Sequence, residues 1–94
     1  MHHRIHRKYP GKTAVEIFEK VDEVMHRIAD KLSLQYEHNP AAKTGRVHKM
    51  GVTGSYEVHD EEVNVDLKFP MLVPGSMRKR VEEDINRKLD TLFA

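Results

Sequence analysis

Residues 13–32, TAVEIFEKVDEVMHRIADKL, decide how the rest of this chain is read. Thr13 and Glu16 have the spacing of a capping box, in which the hydroxyl accepts the third helical N–H and the carboxylate reaches back to the cap amide. Ala14, Val15, Ile17, Phe18, Val21, Val24, Met25, Ile28, Ala29 and Leu32 then recur at intervals of three and four. That period lays one apolar stripe along an α-helix. Glu16, Glu19, Lys20, Glu23, Arg27, Asp30 and Lys31 fill the opposite face. Glu16–Lys20 and Glu23–Arg27 are attractive i,i+4 pairs and Glu19–Glu23 is repulsive, so these charges serve solubility more than stability. A helix of this length spans roughly 30 Å, enough to cover a small sheet.

Downstream the period changes from helical to alternating. Leu34 and Tyr36 alternate with Gln35 and Glu37 in a strand expected over Ser33–His38. Asn39 to Gly45 reads as a loop, and Arg46 to Met50 as a short strand. Gly51 marks a bend. Val52, Gly54, Tyr56 and Val58 share one side of the next strand, which turns at His59-Asp60-Glu61. Val63, Val65, Leu67 and Phe69 alternate with Asn64, Asp66 and Lys68 in the best strand of the chain.

Upstream, Arg4 to Tyr9 forms a strand with Ile5, Arg7 and Tyr9 on one side, closed by Pro10-Gly11. At the far end Pro74 suits the first position of a helix running to Leu92. Met77, Val81, Ile85, Leu89, Leu92 and Phe93 are its buried stripe, narrower than that of the first helix. The order is β-α-β-β-β-β-α. Short connections between the four central strands imply an antiparallel meander. Polar residues at alternate strand positions leave one sheet face to water or a partner, so both helices belong on the other. The expectation is an α+β two-layer sandwich, one domain over residues 1–94.

Composition narrows the function. A third of the residues are charged, but the net charge is only +1, which argues for solubility and against wholesale nucleic-acid binding. The absence of cysteine excludes disulfides, thiolate nucleophiles and cysteine-ligated zinc. No apolar run reaches the length of a membrane span, and no apolar segment follows the basic N-terminus as in a signal peptide, so a cytoplasmic protein is expected. The seven histidines do not make a metal set. His3 and His6 fall on opposite strand faces, His26 lies on the polar side of the first helix, and His38, His48 and His59 lack a helical i,i+4 partner. His59-Asp60-Glu61-Glu62 is a wet hairpin tip, and Ser33, Ser55 and Ser76 lack a nucleophile-elbow context. No catalytic residue and no cofactor is expected.

Two surface features stay open. Arg78-Lys79-Arg80 begins the last helix with three cations, which either form a solvated face neutralised by Glu82, Glu83 and Asp84 or join Arg87, Lys88 and the basic N-terminus in a patch that contacts anionic groups. Phe69, Met71, Leu72 and Val73 form an unusually apolar connection, which either closes the core or makes a sticky patch.

The N-terminal Ile5-His-Arg7, the capped helix, Gly51-Val-Thr-Gly-Ser-Tyr-Glu-Val58, Val63-Asn-Val-Asp-Leu-Lys-Phe69 and Arg80-Val-Glu-Glu-Asp-Ile-Asn-Arg-Lys-Leu-Asp90 together resemble the polyhydroxyalkanoic acid system proteins of bacteria. The resemblance covers nearly the whole chain. It implies an association with the making, storage or use of polyhydroxyalkanoate, with the granule surface or granule proteins as partners. On that reading Phe69, Met71, Leu72 and Val73 meet the polymer boundary while Arg78, Lys79 and Arg80 contact anionic groups beside it. A small-molecule carrier with Met25, Tyr36 and Tyr56 lining a cavity is the competing class, and a nucleic-acid module using the basic termini is a third. A homodimer is compatible with the open sheet face and the free edge strands.

Overall fold

The computed structural model describes residues 2–49, 51–71 and 73–93. The capping box forms: the Thr13 hydroxyl accepts the Glu16 N–H at 3.2 Å, and Glu16 Oε1 accepts the Thr13 N–H at 3.3 Å. Helix α1 runs from Ala14 to Leu32 and ends at Ser33, whose left-handed conformation (φ 55°) lets its N–H reach the carbonyls of Ala29 and Asp30. Ile17, Phe18, Val21, Met25 and Ala29 are its buried stripe. Val15 and Leu32 stay exposed; Val15 lies off the buried side, since Ala14 before it and Ile17 after it pack on the core.

The strands are β1 (His2–Lys8), β2 (Gln35–Asn39), β3 (Thr44–Lys49), β4 (Val52–His59) and β5 (Glu62–Lys68). They form one antiparallel sheet in the order β1-β5-β4-β3-β2, so the meander of β2 to β5 is completed by β1 on the β5 edge. The connection expected over Asn39–Gly45 is shorter than the composition suggests. Asn39, Thr44 and Gly45 pair in the sheet, and the turn is confined to residues 40–43, with Lys43 left-handed (φ 58°) and Asn39 Oδ1 accepting the Ala42 N–H at 3.1 Å. Met50, expected to end β3, lies outside the described residues.

Helix α2 spans Gly75–Asp90. Pro74 is its cap and not its first helical residue: the backbone there is extended (ψ 142°), while the Pro74 carbonyl already accepts the N–H groups of Met77 and Arg78. Ile85, Leu89 and Leu92 are buried as expected, but Met77, in the first turn of the helix, is 56% exposed. Tyr9 fastens the other end by donating to the Leu89 carbonyl at 2.7 Å and packing edge-on against Phe93. Arg7 reaches Asn86 and Asp90, and His3 lies 3.3 Å from Glu82.

Register assigns the two faces. Ile5, Val65 and Tyr56 stand in one cross-strand row beneath the helices, with Leu67, Val63 and Val58 in the neighbouring rows. Ile17 and Val63 are wholly buried, and full burial of such a side chain contributes about 1.5–3 kcal/mol. On the opposite face, Arg4, Asp66, Ser55, Arg46 and Glu37 form a polar row, flanked by His6, Asn64, Glu57, Thr44 and Asn39. No described helix covers this second face.

The molecule is elongated, 40 × 22 × 21 Å. At one end α1 and β5 finish and α2 begins, as shown by the contact of Lys49 Nζ with the Leu32 carbonyl and by the pairing of Thr53 with Lys68. At the other, Asp60 accepts the Ala14 N–H at the start of α1.

Candidate functional site: a basic, methionine-bearing end

The connection from β5 to α2 divides the expected apolar patch. Phe69 continues the alternation of β5 and turns inward, only 5% exposed, so it is core and is withdrawn from any recognition surface. Val73 is half-buried and packs on the same core, where its N–H closes a turn onto the Pro70 carbonyl at 3.1 Å. Met71, between them, is 93% exposed. Leu72 lies outside the described residues. The exposed apolar surface here is therefore Met71 with Met77.

Cations surround these side chains. Arg78 is half-buried and Lys79 and Arg80 are exposed, and none of the three makes an ion pair among the described residues. Lys49 and Lys68 lie at the same end, whereas Lys31 lines a cleft with Asp84, Arg87 and Lys88 of α2. Helix α2 has no side-chain cap and no acid in its first turn. The partial positive charge of its N-terminus therefore stands beside three positive side chains, an arrangement that repels itself and that an anion would relieve. The chemistry on offer is apolar contact and anion attraction.

A second cluster follows no sequence motif. On the inner side of the β2 edge, the Tyr36 hydroxyl lies 2.6 Å from Asp22 Oδ1 and 2.5 Å from the Tyr56 hydroxyl, and His38 Nδ1 lies 2.8 Å from the same carboxylate oxygen. The His26 ring stands edge-on to Tyr36 at 4.6 Å. The carboxylate can only accept, so Tyr36 gives it its single proton and Tyr56 donates to Tyr36. Partial burial opposes ionisation of Asp22, but the hydrogen bonds of Tyr36 and His38 outweigh it and hold the carboxyl below its usual range. Burial pushes the Tyr56 hydroxyl up to about 12, and burial together with donation to Asp22 raises Tyr36 as well. Gly45 makes this possible, because a Cβ there would collide with the Tyr56 ring. The rings of His26 and His38 fan out from one carboxylate, 5.6 Å apart and perpendicular, and no metal-holding group of three occurs among the described residues. The arrangement clamps the edge strand to α1.

The residues expected to line a carrier cavity belong to this clamp or to the core. Met25 and Tyr56 are 4% and 3% exposed. A shallow groove of about 480 Å³ opens instead on the uncovered sheet face, beside Glu37, Arg46, Ser55 and Asp66. On that face Arg4, Lys8, Arg46 and Lys68 are balanced by Glu37, Glu57, Glu62 and Asp66, so it offers no net positive field to nucleic acid.

Comparison with known proteins gives a family and a fold. The family model described as "Putative polyhydroxyalkanoic acid system protein" matches residues 4–93. No curated protein gives a significant match. Among solved structures, a TBP-like protein from Parabacteroides distasonis ATCC 8503 is similar, with a TM-score of 0.55 and 11% identity over 76% of this chain. The chain spans 58% of the length of that protein, and at such identity the likeness shows the fold alone. No described helix is long and apolar enough to cross a membrane.

Proposed function

Because this chain belongs to the polyhydroxyalkanoic acid system protein family, we propose that it is a non-enzymatic accessory protein that binds the surface of polyhydroxyalkanoate granules in the cytoplasm. The observation that carries the reading is the pairing, at one end of the molecule, of two exposed methionines with cations that make no ion pair among the described residues, at a helix start without a side-chain cap. Met71 and Met77 enter the apolar boundary, and thioether side chains suit an irregular surface because they are flexible and polarisable. Arg78, Lys79 and Arg80 meet anionic groups of the boundary layer, where each cation near an anionic surface is worth about 1 kcal/mol. Phe69 and Val73 hold the loop in place from beneath.

Co-sedimentation with isolated granules tests this. The native protein is expected in the granule fraction, and the double variant Met71→Asp with Arg78→Glu is expected in the supernatant with its circular dichroism unchanged. Undiminished sedimentation of a folded double variant would rule the site out.

A further inference from the structure

The uncovered sheet face carries a charge pattern that is complementary to itself. Across the sheet, in the order β1-β5-β4-β3-β2, one row reads Arg4, Asp66, Ser55, Arg46, Glu37. Turned over by a two-fold axis parallel to the strands and lying above β4, the row meets its own reverse. Arg4 then faces the partner's Glu37, Asp66 faces the partner's Arg46, and Ser55 faces the partner's Ser55. Every charge in the row meets its opposite, and a small neutral residue sits on the axis. Such complementarity fixes register and excludes like-charged alternatives. We propose that this face is a homodimer interface in which two copies pack sheet to sheet about that axis.

Three further observations fit a second copy of this chain. The face is uncovered by any described helix and its fixed charges cancel, which suits a partner equally balanced. The groove beside Ser55 and Asp66 leaves room for the long side chains of the opposing row. Five strands about 4.8 Å apart and some six residues long offer roughly 500 Å² of planar area per copy. That lies at the small end of specific interfaces, so the dimer is weak and salt-sensitive. Arg4 already holds Asp66 at 3.1 Å, so the partner's Arg46 adds a second cation to that carboxylate. Glu57 meets its own copy near the axis with His59 at 2.5 Å beside it, a repulsive element in this register.

The symmetry has a consequence for the granule reading, on which only this consequence rests. An axis parallel to the strands keeps both methionine-bearing ends at the same end of the dimer. Two copies then bind one surface together, and the second attachment is effectively intramolecular.

The chain has no cysteine, so Ser55→Cys creates a single reporter at the axis. With a short bis-maleimide at low salt, Ser55→Cys is expected to give a covalent dimer, whereas Ser76→Cys on α2 is not. In the Ser55→Cys background, Arg46→Glu alone and Asp66→Arg alone are each expected to lower cross-linking about tenfold or more, because each places like charges across the interface. Mixing those two variants restores it, since the carboxylate introduced in one then faces the guanidinium introduced in the other. Glu57→Gln is expected to raise it. The idea is overturned if Ser55→Cys with native charges fails to cross-link while sedimentation shows a monomer. Cross-linking through Ser76→Cys, or indifference of the Ser55→Cys yield to charge reversal, would overturn it equally. Granule binding by a protein that stays monomeric would remove the dimer and leave the surface reading intact.

Discussion

Asp22 shows how one carboxylate can hold an edge strand. It receives Tyr36 and His38 from β2, and through Tyr36 it reaches Tyr56 on β4. Replacing it by Asn removes the charge from these hydrogen bonds and is expected to cost about 1–3 kcal/mol, read from urea unfolding. The pH dependence has a definite sign. The folded carboxyl titrates below its ordinary 3.8, so its contribution is complete above that value and is lost as pH falls through the depressed one. Stability of the native protein should therefore decline on acidification through this range, and Asp22→Asn should flatten that slope. Glu62, depressed by its hydrogen bond with His6, acts in the same direction. An unchanged acid limb in Asp22→Asn would mean that the cluster is not stabilising. At Gly45 the test is steric. Alanine there meets the Tyr56 ring, and the displaced hydroxyl breaks the chain to Asp22, at a cost of about 1–3 kcal/mol.

The two helices differ in how their ends are finished, and that difference separates stability from recognition. α1 has its capping box, and Thr13→Ala is expected to cost about 1 kcal/mol with no effect on granule binding. α2 begins with no cap and no acid. Ser76→Glu should therefore stabilise the protein by about 0.3–1 kcal/mol, while weakening its attachment to anionic surfaces. A variant that gains stability and keeps full binding would show that this helix start takes no part in recognition. The contrast also marks what the sequence could disclose. The box at Thr13, the stripe through Met25 and the alternation of Val63 to Phe69 are local signals, and each produced the element it implied. The burial of Phe69 was implicit in that same alternation, because position 69 shares the parity of Val63. Exposure of Met71 and Met77 depends on where the sheet ends beneath them, which no local pattern encodes. The Asp22 cluster left faint traces in the i,i+4 pair Asp22–His26 and the i,i+2 pair Tyr36–His38. Its meaning needed the helix laid across β2.

At the scale of the whole molecule, a net charge of +1 hides an uneven distribution. Lys49, Lys68, Arg78, Lys79 and Arg80 lie at the end that also exposes Met71 and Met77. Two forces with different ranges then act at one surface, and salt distinguishes them. Attraction of the cations is screened within about 8 Å at physiological ionic strength, whereas burial of a thioether is not weakened by salt. Binding of the native protein to granules should therefore fall as salt rises and then level off. Reversing Arg78, Lys79 and Arg80 to Glu should lower the low-salt arm and converge with the native curve on that plateau. Met71→Asp with Met77→Asp should lower the plateau itself. Loss of two methionine contacts worth about 1.5–3 kcal/mol each leaves little affinity there. A native curve that falls to zero at high salt, or methionine variants that share the native plateau, would reduce the site to a purely electrostatic one and remove the apolar boundary as its target.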